Sequence, residues 1–193
     1  LVEAMIQRQI DGLILLPASG SDEHDLEAAL RQADVPMIQI SRSFTTAFDY
    51  VGPDNIEAGA MLARHIDSLG LGSAVLVGGP AVSSARRDRI DGLAQGFAAG
   101  NVRFDPAGAV VTQNTPDGGA RGVAEVLDRG ELPEAVIAYS DAIAIGVYSE
   151  LRQRGMKPGG DVAVASFDDI PLAAMQVPPL TSVATHAQLI AEQ

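Results

Sequence analysis

The chain has 193 residues, 47% hydrophobic and 20% charged, proportions that exclude a disordered or fibrous chain. With 13 Lys and Arg against 25 Asp and Glu, the net charge of −12 excludes binding of a phosphate backbone by these residues themselves. The absence of cysteine excludes a disulfide framework and thiol chemistry, and is compatible with a cytoplasm.

The opening segment, Leu1-Val-Glu-Ala-Met-Ile-Gln-Arg8, is amphipathic and lacks the regions of a signal peptide; with no Met at position 1, the chain reads as a fragment. The longest apolar run, Gly12 to Pro17, is far short of a membrane span and predicts a buried strand over Gly12–Leu16. Leu26, Ala29, Leu30 and Ala33 then place one apolar face on a helix, followed by a strand over Val35–Ile40 and a short extended piece around Tyr50-Val51. Asp54 followed by Glu57 resembles a capping box, and Gly70 ends the helix it opens. A strand over Ala74–Val77 leads into Gly78-Gly79-Pro80, read as a tight turn because no Gly-Lys-Ser/Thr follows to make a phosphate loop. Arg86-Arg87-Asp88-Arg89 reads as one helix surface with one inward member, continued by the stripe Ile90, Leu93, Ala94, Phe97 and stopped at Gly100. A strand over Ala109–Val111 precedes Thr115-Pro116, which reads as N-cap and first helical residue, and Gly130 closes that helix. The last units are a strand over Ala135–Tyr139, a helix with Ala144, Val147, Tyr148 and Leu151 on one face up to Gly155, and a strand over Val162–Phe167. Gly70, Gly100, Gly130 and Gly155 are all expected in the left-handed cap that glycine adopts cheaply. Repeated strand–helix units demand right-handed crossovers and a mostly parallel sheet, so the class is α/β. Pro178-Pro179 is a local break, too short for a domain boundary.

Open parallel sheets bind ligands beyond the carboxyl ends of their strands. Ser41-Arg42, Asp54-Asn55, Gly78-Gly79-Pro80 with Ser83-Ser84, Ser140-Asp141 and Asp168-Asp169 all trail apolar runs. An arginine and one or two carboxylates converging there donate to and accept from the hydroxyls of a polyol or similar ligand. Each residue also has a plain structural reading. Capping alone accounts for Asp54 and Asp141, Arg89 fits a solvated position or a pair with Asp88 or Asp91, and Asp168-Asp169 fits a turn. No His or third acid stands at ligand spacing beside Asp168-Asp169, so no metal site is expected. His24, His65 and His186 are scattered, and no nucleophile elbow, Walker loop or His-Glu-x-x-His occurs, so no catalytic residues and no cofactor are assigned.

The order of motifs across nearly the whole chain resembles the effector-binding core of LacI/GalR-type bacterial transcription regulators. The resemblance rests on Ile10-Asp-Gly-Leu-Ile-Leu15, Val51-Gly-Pro-Asp-Asn55 with Gly59, Leu69-Gly70 with Gly79-Pro80, Arg89-x-x-Gly92, Ser140-Asp-x-x-Ala-x-Gly146 and Leu151-Arg-x-x-Gly155. Its densest parts are Pro158 through Ala173 and Pro178-Pro-Leu-Thr-Ser-Val183. It implies a two-lobed periplasmic-binding-protein-like fold, with residues 1–66 plus 170–193 in one lobe and 67–169 in the other. It also implies that a DNA-reading helix-turn-helix and a first βαβ unit precede Leu1, that a last helix and strand follow Gln193, and that apolar sheet surface is left exposed. The implied activity is sensing of a small polar effector between the lobes, in a cytoplasmic homodimer that touches DNA only through the headpiece, without catalysis and without a membrane. A periplasmic sugar-binding protein of a transport system shares the fold and is the alternative. An enzyme using Asp54 and Asp168 as acid and base is a third reading.

Residue by residue, Arg89 matches the family's ligand-binding arginine and Asp168 its ligand aspartate. Asp54 matches an acid or amide near the ligand, and Arg42 a position used by ribose-type relatives. Ser140 stands where many members have Asn, Ser41 replaces an Asp, Asn114 falls where an aromatic often stacks, and Thr185 falls where a Gln is often found. With no Trp and 4% aromatics, the stacking platform of pyranose sites is weak, which points to a small furanose, an acyclic polyol or another polar metabolite.

Overall fold

The computed structural model describes residues 2–17, 23–130 and 132–192, so Leu1 and Gln193, where the expected truncations fall, lie outside them. The chain packs as two compact units. One gathers Leu1–Pro53, Val82–Ala85 and His186–Gln193; the other gathers Asp54–Ala81 and Arg86–Thr185.

In the first unit α1 (Val2–Ile6) leads to β1 (Leu13–Leu15), α2 (Glu23–Gln32), β2 (Met37–Ile40) and β3 (Asp49–Val51). The three strands form a parallel sheet in the order β1-β2-β3. Alternation along β2 is inverted relative to polarity: Gln39 is fully buried whereas Ile38 is 38% exposed. The reason lies in the loop that follows. The Gln39 amide accepts from the backbone N–H of Phe44 and of Thr45 and donates to the carbonyls of Thr45 and Phe48, so a buried polar group is satisfied by organising residues 44–48. Ile14, paired in register with Ile38, is 72% exposed, and Leu16 is 49% exposed. The run Gly12–Leu16, expected to be a buried strand, thus keeps apolar side chains exposed.

The second unit contains α3 (Asn55–Ser68), β4 (Ser73–Val77), α4 (Ser84–Phe97, whose first two residues belong to the first unit), β5 (Arg103–Phe104) and α5 (Pro116–Asp128). It continues with β6 (Ala135–Ala138), α6 (Asp141–Gln153), β7 (Ala163–Asp168), α7 (Pro171–Ala174) and β8 (Thr181–Ala184). Its five strands run parallel in the order β5-β4-β6-β7-β8. β6 is buried at every position, as a strand covered on both faces must be. On one face Leu76, Ile137, Phe167 and Val183 pack with Leu62 and Ile66 of α3 and Leu93 and Phe97 of α4. On the other, Val77 approaches Gly122 of α5. The helices of each layer touch backbone to backbone: a Cβ on Gly92 would lie 2.0 Å from the Ile56 carbonyl oxygen of α3, and one on Gly146 would lie 1.8 Å from the Pro116 carbonyl oxygen of α5. No described helix is long and apolar enough to cross a membrane.

Several expectations are corrected. Ala109–Val111 is not a strand but a single bridge, Val77 to Val110, because the turn at Pro106–Gly108 breaks the pairing begun by β5. By packing, the second unit begins in sequence at Asp54 and ends at Thr185. α3 joins the second unit through its glycine contact with α4, and β8 pairs with β7 in the same sheet. Gly70, Gly130 and Gly155 have φ of +74° to +79°, whereas Gly100 does not need a left-handed backbone: a Cβ there would strike the Asp67 carboxylate at 2.2 Å. Asp54 caps α3 by accepting from Glu57 N–H, but Glu57 turns its carboxylate to Arg64 (2.6 Å) rather than closing the box. Thr115 caps α5 ahead of Pro116 as expected. The cap of α6 is Ser140, not Asp141.

Candidate functional site

Parallel strands end on one edge, so the residues trailing β6, β7 and β8 are brought together by topology alone. Tyr139-Ser140 follow β6, Asp168 is the last residue of β7, and Thr185 follows β8, whose Ala184 is in register with Asp168. Asn114 lies beyond the Val110 bridge to β4, just before the cap of α5.

Arg89 reaches this edge from α4. It is 5% exposed, and its guanidinium lies over the ring of Phe167 at 4.4 Å and that of Tyr139 at 4.8 Å. Two aromatic rings fix the plane of the cation and exclude water from it. Its Nε donates to Asn55 Oδ1 at 2.9 Å, Nη1 donates to the Tyr139 carbonyl, and Nη2 lies 3.6 Å from Asp168 Oδ1. The neighbours are themselves held. Asn55 is placed by the Gly59 and Gly92 contacts that seat α3 on α4. The Tyr139 ring lies against Gly79, where a Cβ would stand 2.7 Å from it, and Gly78 and Gly79 both adopt the positive φ that glycine tolerates.

Asp168 is the exposed member of the pair: 36% of its side chain is accessible against 6% for Arg89. Burial pushes its carboxyl up to about 6; Arg89 pulls it down, the Asp141 charge pushes it up, and hydrogen bonds from Arg89 and the Asp141 backbone pull it down. Its φ is +114°, and Asp169 follows at +55°, so the chain leaves the end of β7 through two residues of positive φ. Ser140 is 2% exposed; its hydroxyl accepts from Ile143 N–H as the cap of α6 and donates to Asn114 Oδ1 at 2.5 Å. Arg89, Asp168, Ser140 and Asn114 thus stand along one edge of one sheet, with Thr185 half-buried beside them.

Other sequence candidates stand elsewhere or are occupied. Asp54 is exposed, and its Oδ1 caps α3. Arg42 belongs to the first unit, where it follows β2 and its backbone N–H donates to the Ile40 carbonyl at 2.7 Å. Asp88 pairs with Arg87 at 2.9 Å, not with Arg89. The helix surface 86–89 has two inward arginines rather than one. Arg86 is 8% exposed, and its guanidinium donates to the carbonyls of Gly78 and Ala109, both at 3.0 Å. Burial holds it below its usual value. Three contributors were given no ligand role from sequence: Asn55, named only beside Asp54 at a strand end, Tyr139 and Phe167. The signal for them is adjacency, since each is the immediate neighbour of a chosen residue. A cavity of about 790 Å3 lies apart from this edge, lined by Phe97, Val102, Phe104, Arg103 and Arg129 among others.

Residues 63–193 match the periplasmic binding protein-like domain. Over 182 residues the chain is 30% identical to the HTH-type transcriptional regulator DegA of Bacillus subtilis, covering 92% of this chain and 53% of that protein. It is 27% identical to the ribose operon repressor of Escherichia coli K12, covering 94% of this chain and 55% of that one. The solved complex of the transcriptional regulator CelR with cellobiose superposes with a TM-score of 0.86 at 28% identity, covering 97% of this chain and 57% of that one. The chain therefore spans about half the length of the curated relatives it matches. It belongs to the periplasmic binding protein-like domain family, in the form of a LacI/GalR-type effector-binding core.

Proposed function

We propose that this chain senses a small polyhydroxylated effector (a sugar or polyol) for a LacI-type transcription regulator, with Arg89 and Asp168 as the central ligand contacts. The observation that carries the reading is a guanidinium held between two rings with a half-exposed carboxylate 3.6 Å from it. A fixed donor beside an acceptor is complementary to neighbouring hydroxyls, each of which gives one hydrogen bond and takes another. Ser140, Asn114 and Thr185 supply further polar contacts along the same edge. Asp54 and Arg42 join the proposal from the family resemblance. No proton transfer or nucleophile is assigned, so the chain acts by binding. An effector that prefers one conformation of the regulator shifts its population by that difference in affinity and no more.

DNA contact belongs in this reading to a separate basic headpiece, which the net charge of −12 supports, and the regulator works in the cytoplasm as a homodimer. The curated relatives named above are regulators, which favours sensing over the transport alternative. The test is a thermal-shift screen of pentoses, hexoses, disaccharides and polyols against the wild-type chain and Arg89→Lys. At a hundredfold excess over its dissociation constant, a true effector stabilises the wild type by about 2.7 kcal/mol. Lysine keeps the charge but not the planar fork, so the response is lost in the variant. An equal response in both proteins removes Arg89 from the site.

A further inference from the structure

Asp141 is fully buried at the first helical position of α6. A helix dipole favours an acid there, but the dipole alone gives no reason to bury it, and Ser140 already supplies the cap. Its carboxylate is instead shared among three donors from outside its own helix. Oδ1 accepts from the hydroxyl of Ser166 on β7 and from that of Ser182 on β8 (2.7 Å); Oδ2 accepts from the Ile170 backbone N–H (2.8 Å). Ser182 in turn accepts from the Asp169 backbone N–H at 2.9 Å. Two of these links flank the Asp168-Asp169 turn, whose consecutive positive φ values are ones that side-chain-bearing residues rarely adopt. Such a backbone persists only where its surroundings over-determine it.

We propose that Asp141 is the positioning residue for Asp168: through Ser182 and the Ile170 amide it clamps the turn that aims the Asp168 carboxylate, and it stands as a second negative charge behind it. The role rests on the reading of Asp168 as an effector contact. Arg89 from α4 and Asp141 from α6 are the charged groups that act on Asp168, in opposite senses. Ser166 serves as an internal control, because it bonds the same carboxylate oxygen without touching the turn.

The experiment is a carbon-detected NMR titration of the Asp168 carboxyl in the full chain, comparing wild type with Asp141→Asn, Ser182→Ala and Ser166→Ala. Loss of the like charge in Asp141→Asn lowers the Asp168 midpoint by roughly one unit. Ser182→Ala frees the turn, gives the carboxyl more water and lowers it by roughly half a unit, while Ser166→Ala leaves it in place. Equal shifts in the two serine variants, or no shift in a folded Asp141→Asn, overturn the proposal. If Asp141→Asn does not fold, the serine pair decides alone. Thermal shift with D-ribose is run in parallel. Silence there removes that sugar from the effector reading and leaves the titration, which needs no ligand, to judge Asp141.

Discussion

Two regions of α4, one helical turn apart, bury an arginine in different ways. Around Arg86 the guanidinium meets backbone carbonyls, those of Gly78 and Ala109, and so closes the loop after β4. Around Arg89 it meets a side-chain amide, a carbonyl and the half-exposed carboxylate of Asp168. The first arrangement consumes donors on groups that cannot move; the second keeps a charged partner at the solvent boundary. Burial and residue type are the same, and the partners decide which arginine is structural and which is available to a ligand.

The strongest way to break that contrast is to remove each cation in turn. Arg86→Met leaves the buried Gly78 carbonyl and the part-buried Ala109 carbonyl without that donor, and at about 1–3 kcal/mol for each such group a loss of about 3 kcal/mol is expected in urea unfolding. Arg89→Met also leaves two buried acceptors, Asn55 Oδ1 and the Tyr139 carbonyl, without that donor, so a similar loss of about 3 kcal/mol is expected, together with loss of the response to any effector. If Arg89→Met keeps the effector response, or Arg86→Met loses it as completely, the effector reading loses its centre.

A smaller effect tests how Arg89 is supplied with Asn55. In Gly92→Ala the new Cβ meets the Ile56 carbonyl at 2.0 Å, and overpacking of this kind costs about 1–3 kcal/mol. Because α3 must shift to relieve it, Asn55 moves off Arg89 Nε and effector affinity falls with stability. Gly70→Ala is the control: nothing lies within 4 Å of its Cβ, and only the φ of +74° is unfavourable. It is expected to cost about 1–2 kcal/mol in the same unfolding assay with affinity unchanged.

Such contacts explain what was legible in the sequence and what was not. Apolar runs gave β4, β6 and β7, which lie inside the five-stranded sheet, because strands covered on both faces carry their burial in composition; they also gave β1 and β2, although Ile14 and Ile38 there are exposed. β5 has only Arg103-Phe104, and β8 runs Thr-Ser-Val-Ala; neither is an apolar run, and both are defined by a neighbouring strand. Arg89 and Asp168 could be chosen because the family pattern marks them. The phase of Arg86, three residues earlier, was misread because helical spacing shows that two residues share a face without showing that both are buried. Asp141 was taken for a cap because Ser140 and Asp141 are both good capping residues, and only the positions of Ser166, Ser182 and Ile170 distinguish them.

The finest distinction between the two arginines is pH. Arg86 bonds backbone carbonyls, whereas Arg89 faces a carboxyl pushed up to about 6. Ionised Asp168 accepts hydroxyl protons on both oxygens and more strongly than its protonated form, so effector affinity is expected to rise with pH through that value. A group half-ionised at about 6 is some tenfold less ionised at pH 5 than at pH 7, and affinity should fall by roughly that factor. Stability runs the other way. The native carboxyl holds its proton more tightly than the unfolded one, whose pKa is near the ordinary ~3.9, so between roughly 4 and 6 this group's contribution falls as pH rises. Opposite slopes for binding and stability across one window, both flattened in Asp168→Asn, would assign them to this single carboxyl; parallel slopes would point to a group elsewhere. Calorimetric binding and urea unfolding, each at pH 5, 6 and 7, measure the two slopes on the same protein.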